Sequence, residues 1–222
     1  MTLAQLRALF RADATDSATP YLFSDADVAT WLNEAVEEAA IRARLIYEDT
    51  DPDVCQISVT PGTVKYTLHP ALYELGRVQF TPSGTTVATV VYLTDRVELD
   101  RIKPQWRHED PDMPRYAVQD DKTLLLVPAP LQPGTLTLEG YRLPLTPMSA
   151  DSDSPEINSA HHRHLVAWAL YRAFSRPDAE TIDPARAATA EQVFTRMFGI
   201  RQTADMRRST RTNAPQHNKA VW

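Results

Sequence analysis

Residues 157–174, INSAHHRHLVAWALYRAF, carry the strongest structural signal in this chain. Their second half, LVAWALYRAF (165–174), contains one charged residue and is apolar on almost every helical face. A helix that is apolar all round is buried, either in its own fold alone or between its own fold and a neighbour. The sequence therefore predicts a helix over 157–174 that is buried, either in its own fold or between its own fold and a neighbour.

The helix that follows has clear signals at both ends. Asp183 is a typical N-cap residue, Pro184 suits the first helical position, and Gly199 occupies the place of a C-terminal cap. Near the N-terminus, residues 3–12 predict a short helix with its leucines and Phe10 on one face.

A longer helix is predicted over residues 25–47. The Ser24-x-x-Asp27 pattern is a capping box, and the acidic residues of the first turn suit the positive end of the helix dipole. The apolar stripe of this helix is rich in alanine, including Ala35 and Ala39, which lets another helix approach closely.

The residues between these helical regions change to a period of two, which indicates strands. Alternating residues on both sides of Pro61-Gly62 predict a hairpin, and the stretch LLLVPAPLQPGTLTLEGY (124–141) predicts another with a proline-rich connection. Residues 69–75 are interpreted as a helical turn, and residues 94–113 as partly irregular. Further strands are predicted at 78–80, 87–93, 116–118, 123–127 and 135–143.

Two linkers rich in proline and acidic residues, 48–53 and 144–156, bracket the strands. We therefore expect an α+β protein: a discontinuous four-helix domain (1–50 and 155–199) that carries an inserted, small antiparallel β domain (54–145). The remaining residues, 200–222, have no apolar stripe and the composition of a solvated segment, and they form an extended C-terminal arm in this prediction.

Charge is unevenly distributed along the chain. The net charge is −6, yet residues 201–222 alone carry five Lys/Arg and one Asp, a local +4 that leaves −10 on the rest. An acidic body argues against nucleic-acid binding as the main role. The arm's charges, Arg207, Arg208, Arg211 and Lys219, suit docking onto an acidic partner, with Trp222 as an anchor in a partner's pocket. The alternative is a solvated tail that aids solubility.

No catalytic or metal-binding motif is recognisable, so the sequence predicts a non-enzyme without cofactor. His161 and His164 would share a helical face, but no companion ligands form a motif with them, and hydrogen-bonded histidines are commoner. The aspartate pairs at 51/53 and 151/153 lie in linkers, where solvated charge is the usual explanation. The single cysteine, Cys55, excludes an internal disulfide, and no apolar run approaches the roughly 20 residues of a membrane-spanning helix.

Aromatic residues of the β region support a second hypothesis. Trp106, Tyr116 and Tyr141 could form a stacking platform for sugars, which would make the chain a small carbohydrate- or cell-wall-binding module. Packing in the core of a small sheet is the simpler interpretation of the same residues.

The sequence resembles the head-to-tail adaptor (connector) proteins of bacteriophages. The resemblance rests on the Pro-Glu-Ile opening at 155–157 with its His-His pair, on WALYRAF, and on the acidic loop that leads into DPARA. SDADVATWLNEAVEEAA (24–40) is similar to the family's first long helix. TLHPALYELGRVQF and ELDRIKPQW are similar to the β domain that some members carry.

This resemblance implies a structural virion protein at the neck of the capsid, assembled in the host cytoplasm. Such adaptors form a ring, usually of twelve copies, below the portal, where they extend the DNA channel and join a nozzle, tube or tail-completion protein. DNA would pass through the lumen without specific binding. The C-terminal arm would dock on the portal. The ring contacts are expected on two helices, at Leu165, Trp168, Tyr171, Phe174, Ala35 and Ala39.

Overall fold

A computed structural model describes residues 1–177 and 181–202. The described residues fall into two compact units. The helical unit comprises Met1–Ile46 and Leu143–Arg201, and the β unit comprises Tyr47–Arg142. The predicted arm, 200–222, lies outside the described residues except for its first three positions.

The described residues have a mixed α+β architecture. Their helices are α1 (Leu3–Ala14), α2 (Asp25–Ala43), α3 (Pro52–Cys55), α4 (Arg96–Ile102), α5 (Leu165–Phe174) and α6 (Pro184–Phe198). Their strands are β1 (Tyr47–Glu48), β2 (Gln56–Val59), β3 (Lys65–Thr67), β4 (Leu72–Pro82), β5 (Thr89–Leu93), β6 (Tyr116–Gln119), β7 (Thr123–Val127) and β8 (Gly134–Arg142). Within residues 1–177 and 181–202, no helix combines the length and the apolar character that crossing a membrane requires.

Local capping explains where the helices of the helical unit begin. The Ser24 hydroxyl accepts the backbone N–H of Asp27 at 3.1 Å, as predicted, and the Asp183 carboxylate accepts that of Arg186 at 3.0 Å. Thr2 and Gln5 form a reciprocal capping box at α1 that the sequence analysis missed.

The helix ends also differ from the prediction in two places. Helix α2 stops at Ala43 rather than at residue 47, because Arg44 adopts a left-handed conformation (φ 52°) and caps it. The stretch predicted as one helix from 157 begins instead with a 3₁₀ segment, Ser159–His164, and becomes α-helical at Leu165.

Helix α5 lies at the centre of the helical unit and packs against α1, α2 and α6. Its Phe174 contacts Phe23 edge to face, with ring centroids 6.1 Å apart, and Phe23 in turn contacts Phe10 and Trp31. Such edge-to-face pairs add specific geometry to the burial of large apolar surfaces. The prediction that this helix is buried is therefore confirmed.

The β unit is built around β8, which pairs antiparallel with β1, β2 and β4. The strand order is β1-β8-β4-β5-β6-β7-β3, with β2 beside β8. Strands β5 and β6 are parallel, so the expectation of a purely antiparallel domain is wrong. Helix α4 and the 3₁₀ turn Trp106–His108 provide the longer connection that a parallel pair needs.

Three further predictions for the β region are wrong. Strands β2 and β3 flank Pro61-Gly62 but do not form a hairpin, since β2 pairs with β8 and β3 with β7. Strands β7 and β8 also find different partners. The supposed helical turn at 69–75 contains the start of the long strand β4. In each case pairing with a strand distant in sequence outweighs the local signal.

Candidate docking surfaces of the helical unit

An apolar groove of about 610 Å³ runs between α5 and α6. Its floor consists of apolar side chains of α5 and α6 that lie between the two helices, and some of them remain partly exposed. Val166 and Ala190 are buried there, whereas Val193 keeps 41 % of its surface exposed. The apolar lining residues are Val166, Ala167, Leu170, Phe174, Ala185, Ala190 and Val193.

The rim of this groove is mainly basic. Arg186 is held in place because its guanidinium donates to the carbonyl of Asp13 at 2.9 Å and stacks on Phe174 at 4.0 Å. Arg163 is exposed, and its guanidinium has no hydrogen bond or ion pair with the described residues. His164 and the exposed Asp13 complete the charged or titratable lining. The groove thus combines an apolar floor with two guanidinium groups.

A second, smaller cleft of about 260 Å³ lies between α2 and the proline-rich loop 144–148. The side chain of Asn33 fixes this loop, accepting the N–H of Met148 at 2.9 Å and donating to its carbonyl at 3.0 Å. Leu145 is 41 % exposed on the loop, and its N–H donates to Glu156 at 2.9 Å. Glu37 of α2 also lines the cleft, so this surface presents an apolar side chain beside two carboxylates.

The aspartates of the second linker hold the chain in place. The Asp153 carboxylate accepts the N–H groups of Ser149 at 2.8 Å and Ala150 at 2.7 Å, and these bonds lower its pKa. Asp151 pairs with Arg7 of α1. The linker is therefore tied to the first turns of α1, and its acidic residues have a structural role rather than solvated charges alone.

A buried ionic network lies where the chain leaves α6. The Glu38 carboxylate accepts Nε of Arg42 at 2.7 Å and lies 3.2 Å from a guanidinium nitrogen of Arg201. Arg42 also donates to Thr195 at 3.1 Å and to the carbonyl of Gly199 at 3.2 Å. The side chains of Glu38 and Arg42 are each 8 % exposed. This network was not predicted from the sequence, although the i, i+4 spacing of Glu38 and Arg42 is a recognisable signal.

The predicted ring-contact residues differ in their exposure. Leu165, Phe174, Ala35 and Ala39 lie in the apolar core of the helical unit. Trp168 and Tyr171 are half-buried, with ring centroids 5.2 Å apart, and Trp168 also contacts Phe194 at 5.0 Å. The indole N–H of Trp168 is buried and meets no acceptor among the described residues. Only this pair of the six therefore offers surface to a neighbour.

The histidine cluster has structural contacts. His162 is buried, and its ring nitrogens lie 2.9 Å from the carbonyl of Ile157 and 2.7 Å from the amino group of Met1. His161 packs against the ring of Phe198. Among the described residues, no group of three or more His, Cys, Asp or Glu could hold a metal ion.

The three aromatic residues proposed as a sugar-stacking platform, Trp106, Tyr116 and Tyr141, each pack against other side chains of the β unit. Trp106 donates its indole N–H to Asp100 at 2.9 Å, and the guanidinium of Arg107 covers its ring at 4.2 Å. Tyr141 packs against Tyr47 on β1, whereas Tyr116 joins a small core cluster with Trp106. These contacts favour the packing interpretation over a stacking platform for sugars.

The arm residues Arg207, Arg208, Arg211, Lys219 and Trp222 lie outside the described residues. Docking by these side chains stays a prediction.

Comparison with known protein families identifies the family to which this chain belongs. The family model for the SU10 adaptor protein matches residues 1–216, nearly the full length. No curated protein matches the chain. The resemblance to phage adaptors is thereby confirmed, and it indicates a structural component of the virion. The chain therefore belongs to the SU10 adaptor proteins, phage head-to-tail adaptors, a family that implies oligomerisation and contact with portal and tail.

Proposed function

We propose that this chain forms a ring below the portal, extends the DNA channel and joins the tail. The observation that carries the proposal is the family match over residues 1–216, which includes both units and most of the arm. Twelve copies are proposed, as the resemblance implies. The ring belongs to the neck of the virion and assembles in the host cytoplasm. A nozzle, tube or tail-completion protein is the partner on the tail side.

The C-terminal arm is the proposed portal-docking element. Glu38 and Arg42 tie residues 199–201 to α2, which supports a fixed point of departure for the arm. A fixed start lowers the entropy that an extended segment loses when it binds. Its arginines suit acidic grooves on the portal, because guanidinium groups pair bidentately with carboxylates. Trp222 is the proposed apolar anchor at the far end.

Passage of DNA without specific binding is consistent with the charge distribution. Residues 1–200 carry a net charge of −10, so a lumen formed by them would repel the phosphate backbone. Repulsion favours sliding over adhesion.

Truncation after Gln202 tests the role of the arm. This variant keeps Arg201 and therefore the network with Glu38, so we expect an unchanged folded structure by circular dichroism and thermal unfolding. We expect it to lose co-sedimentation with the portal. A matched variant that keeps the arm's length but replaces Arg207, Arg208 and Arg211 with glutamine should also lose affinity. If the truncated chain binds portal as tightly as the full chain, the arm is not the docking element.

A further inference from the structure

We propose that the groove between α5 and α6 of one copy receives the 144–148 loop of a second copy. The inference rests on the proposed function for its premise that copies of this chain assemble. It assigns the subunit contact to two surfaces, the groove and the cleft-side loop. Of the six predicted ring-contact residues, Phe174 alone lines the groove, and none lines the cleft beside the loop.

The apolar parts of the two surfaces are complementary. Leu145 exposes 41 % of its surface on the loop, and the groove offers an incompletely covered floor at Leu170 and Val193. The loop contains Pro144 and Pro147 and is fixed to α2 through Asn33. A segment already held in one conformation loses little entropy on binding, so burial of its leucine contributes to affinity without a large ordering cost.

The charges around the two surfaces are also complementary. Arg163 and Arg186 border the groove, whereas Glu37 and Glu156 border the loop. Glu37 is exposed, and the described residues offer its carboxylate no partner, as is true of the Arg163 guanidinium. Asp13 is the acidic exception on the groove rim. Opposite charges around an apolar centre select the partner and fix its register.

A copy cannot fill its own groove with its own loop. Asp13, in the last turn of α1, borders the groove, while residues 151 and 153 connect the loop's linker to the first turns of the same helix. Helix α1 has 12 residues and is therefore about 18 Å long. Because two different surfaces meet, the contact is head to tail, and repetition of such a contact closes into a ring when the rotation permits.

The cationic arm suits this groove less well. Residues 203–222 carry four Lys/Arg and one Asp, and the groove rim already holds two arginines. Like charges across an interface disfavour binding, so the loop, which is bordered by Glu37 and Glu156, is the better occupant.

Disulfide trapping between copies tests the proposal. The only natural cysteine, Cys55, is buried and does not interfere. Leu145→Cys and Val193→Cys are made as separate full-length variants and mixed under conditions in which the wild-type chain assembles, alone or with portal. We expect cross-linked dimers in this mixture after mild oxidation. Leu22→Cys, at another exposed leucine of the helical unit, replaces Leu145→Cys in the control mixture, which should stay uncrosslinked.

Charge exchange provides a second, independent readout. Arg163→Glu and Glu37→Arg should each weaken assembly about tenfold or more, because each variant places like charges across its own contact. An equimolar mixture of the two, and the double variant, should regain assembly, since opposite charges face each other again. Arg196→Glu, an exposed reversal on α6 away from the groove lining, is the matched control and should assemble normally.

The outcomes separate the two proposals. One outcome would overturn the groove assignment alone. In that outcome the wild-type chain assembles, but Leu145→Cys and Val193→Cys fail to cross-link and the charge exchange fails to restore assembly. Cross-linking by the Leu22→Cys control to the same extent would overturn it as well, since the trap would then report random collision. Wild-type chain that assembles neither alone nor with portal would overturn the proposed function, and this inference with it.

Discussion

The Nε of Arg142 lies 2.7 Å from a carboxylate oxygen of Glu48, and both side chains are less than one-tenth exposed in the β unit. The other oxygen of Glu48 accepts the N–H groups of Thr50 and Asp51, each at 3.0 Å. The guanidinium and these N–H groups together outweigh the effect of burial and lower the pKa of Glu48 from 4.5 to about 2. The Glu48 carboxylate thus links β1 to the turn that follows it and to the end of β8.

This relationship predicts acid sensitivity of the β unit. The pKa is lower in the folded state than in the unfolded chain, so the stabilisation is complete above pH 4.5 and is lost as the pH falls toward 2. The shift corresponds to roughly 3 kcal/mol at neutral pH. Chemical unfolding of wild type and Glu48→Gln at several pH values between 7 and 2.5 should show a weaker pH dependence in the variant. Glu37→Gln, at an exposed carboxylate, is the control, and equal slopes for Glu48→Gln and wild type would contradict the prediction.

The close approach of β4 and β8 at Gly140 predicts that a side chain there destabilises the β unit. A Cβ atom there would lie 2.3 Å from the carbonyl oxygen of Glu74 and 3.0 Å from the Cα of Leu75, so the backbone would have to shift. We expect Gly140→Ala to lower the free energy of unfolding by about 1–3 kcal/mol.

Gly76, on the same strand pair, supplies the control. The nearest atoms to a Cβ at Gly76 are 3.7 Å away, an ordinary contact distance. Gly76→Ala should therefore stay within about 0.5 kcal/mol of wild type in urea unfolding. Equal destabilisation by both substitutions would mean that loss of glycine itself, and not the close approach, matters.

The Cys55 thiol is predicted to react slowly. Burial, and then the nearby charges of Glu48, Asp49 and Asp51, raise its pKa to about 11. Because the thiolate is the reactive form, modification by a disulfide reagent at pH 8 should be at least about a hundredfold slower than in the unfolded chain. The exposed thiol of a Leu145→Cys variant offers an internal comparison. Rapid reaction of Cys55 in the folded protein would show that this part of the β unit opens readily.

The sequence predicts local structure better than pairing in this chain. Ser24, Asp183 and Gly199 act within one turn of their own positions, so the ends of α2 and α6 that they define could be predicted. The partners of β8 could not, because β1, β2 and β4 come from separate parts of the chain and their pairing depends on the whole sheet. Pro61-Gly62 forms a turn between β2 and β3, but a turn in the sequence does not determine which strands pair on either side of it.

The candidate docking surfaces also depend on segments that are distant in sequence, so they were harder to predict than local structure. The apolar character of 165–174 correctly predicted a buried helix. Leu165 and Phe174 were also predicted as ring contacts, but both side chains lie in the core, and the open surface lies beside them at Val193. A groove formed jointly by α1, α5 and α6 has no signature in any one segment. The carboxylates near Leu145 likewise come from α2 and from the linker after the loop.

The network at the end of α6 yields the last prediction. Arg42→Met removes the guanidinium from the buried Glu38 and from the carbonyl of Gly199, so we expect about 3 kcal/mol of destabilisation of the helical unit. Arg172→Met breaks an exposed pair with Glu34, where both side chains keep more than a third of their surface, and should cost less than about 1 kcal/mol.

Portal binding distinguishes a local from a general effect of Arg42→Met. At a temperature where the variant remains folded, the arm keeps its own charges but starts from a position held by the Glu38–Arg201 pair alone, because Arg42 no longer holds Gly199. We expect reduced co-sedimentation with portal for Arg42→Met and normal binding for Arg172→Met. Normal portal binding by folded Arg42→Met would show that the network stabilises the helical unit without positioning the arm.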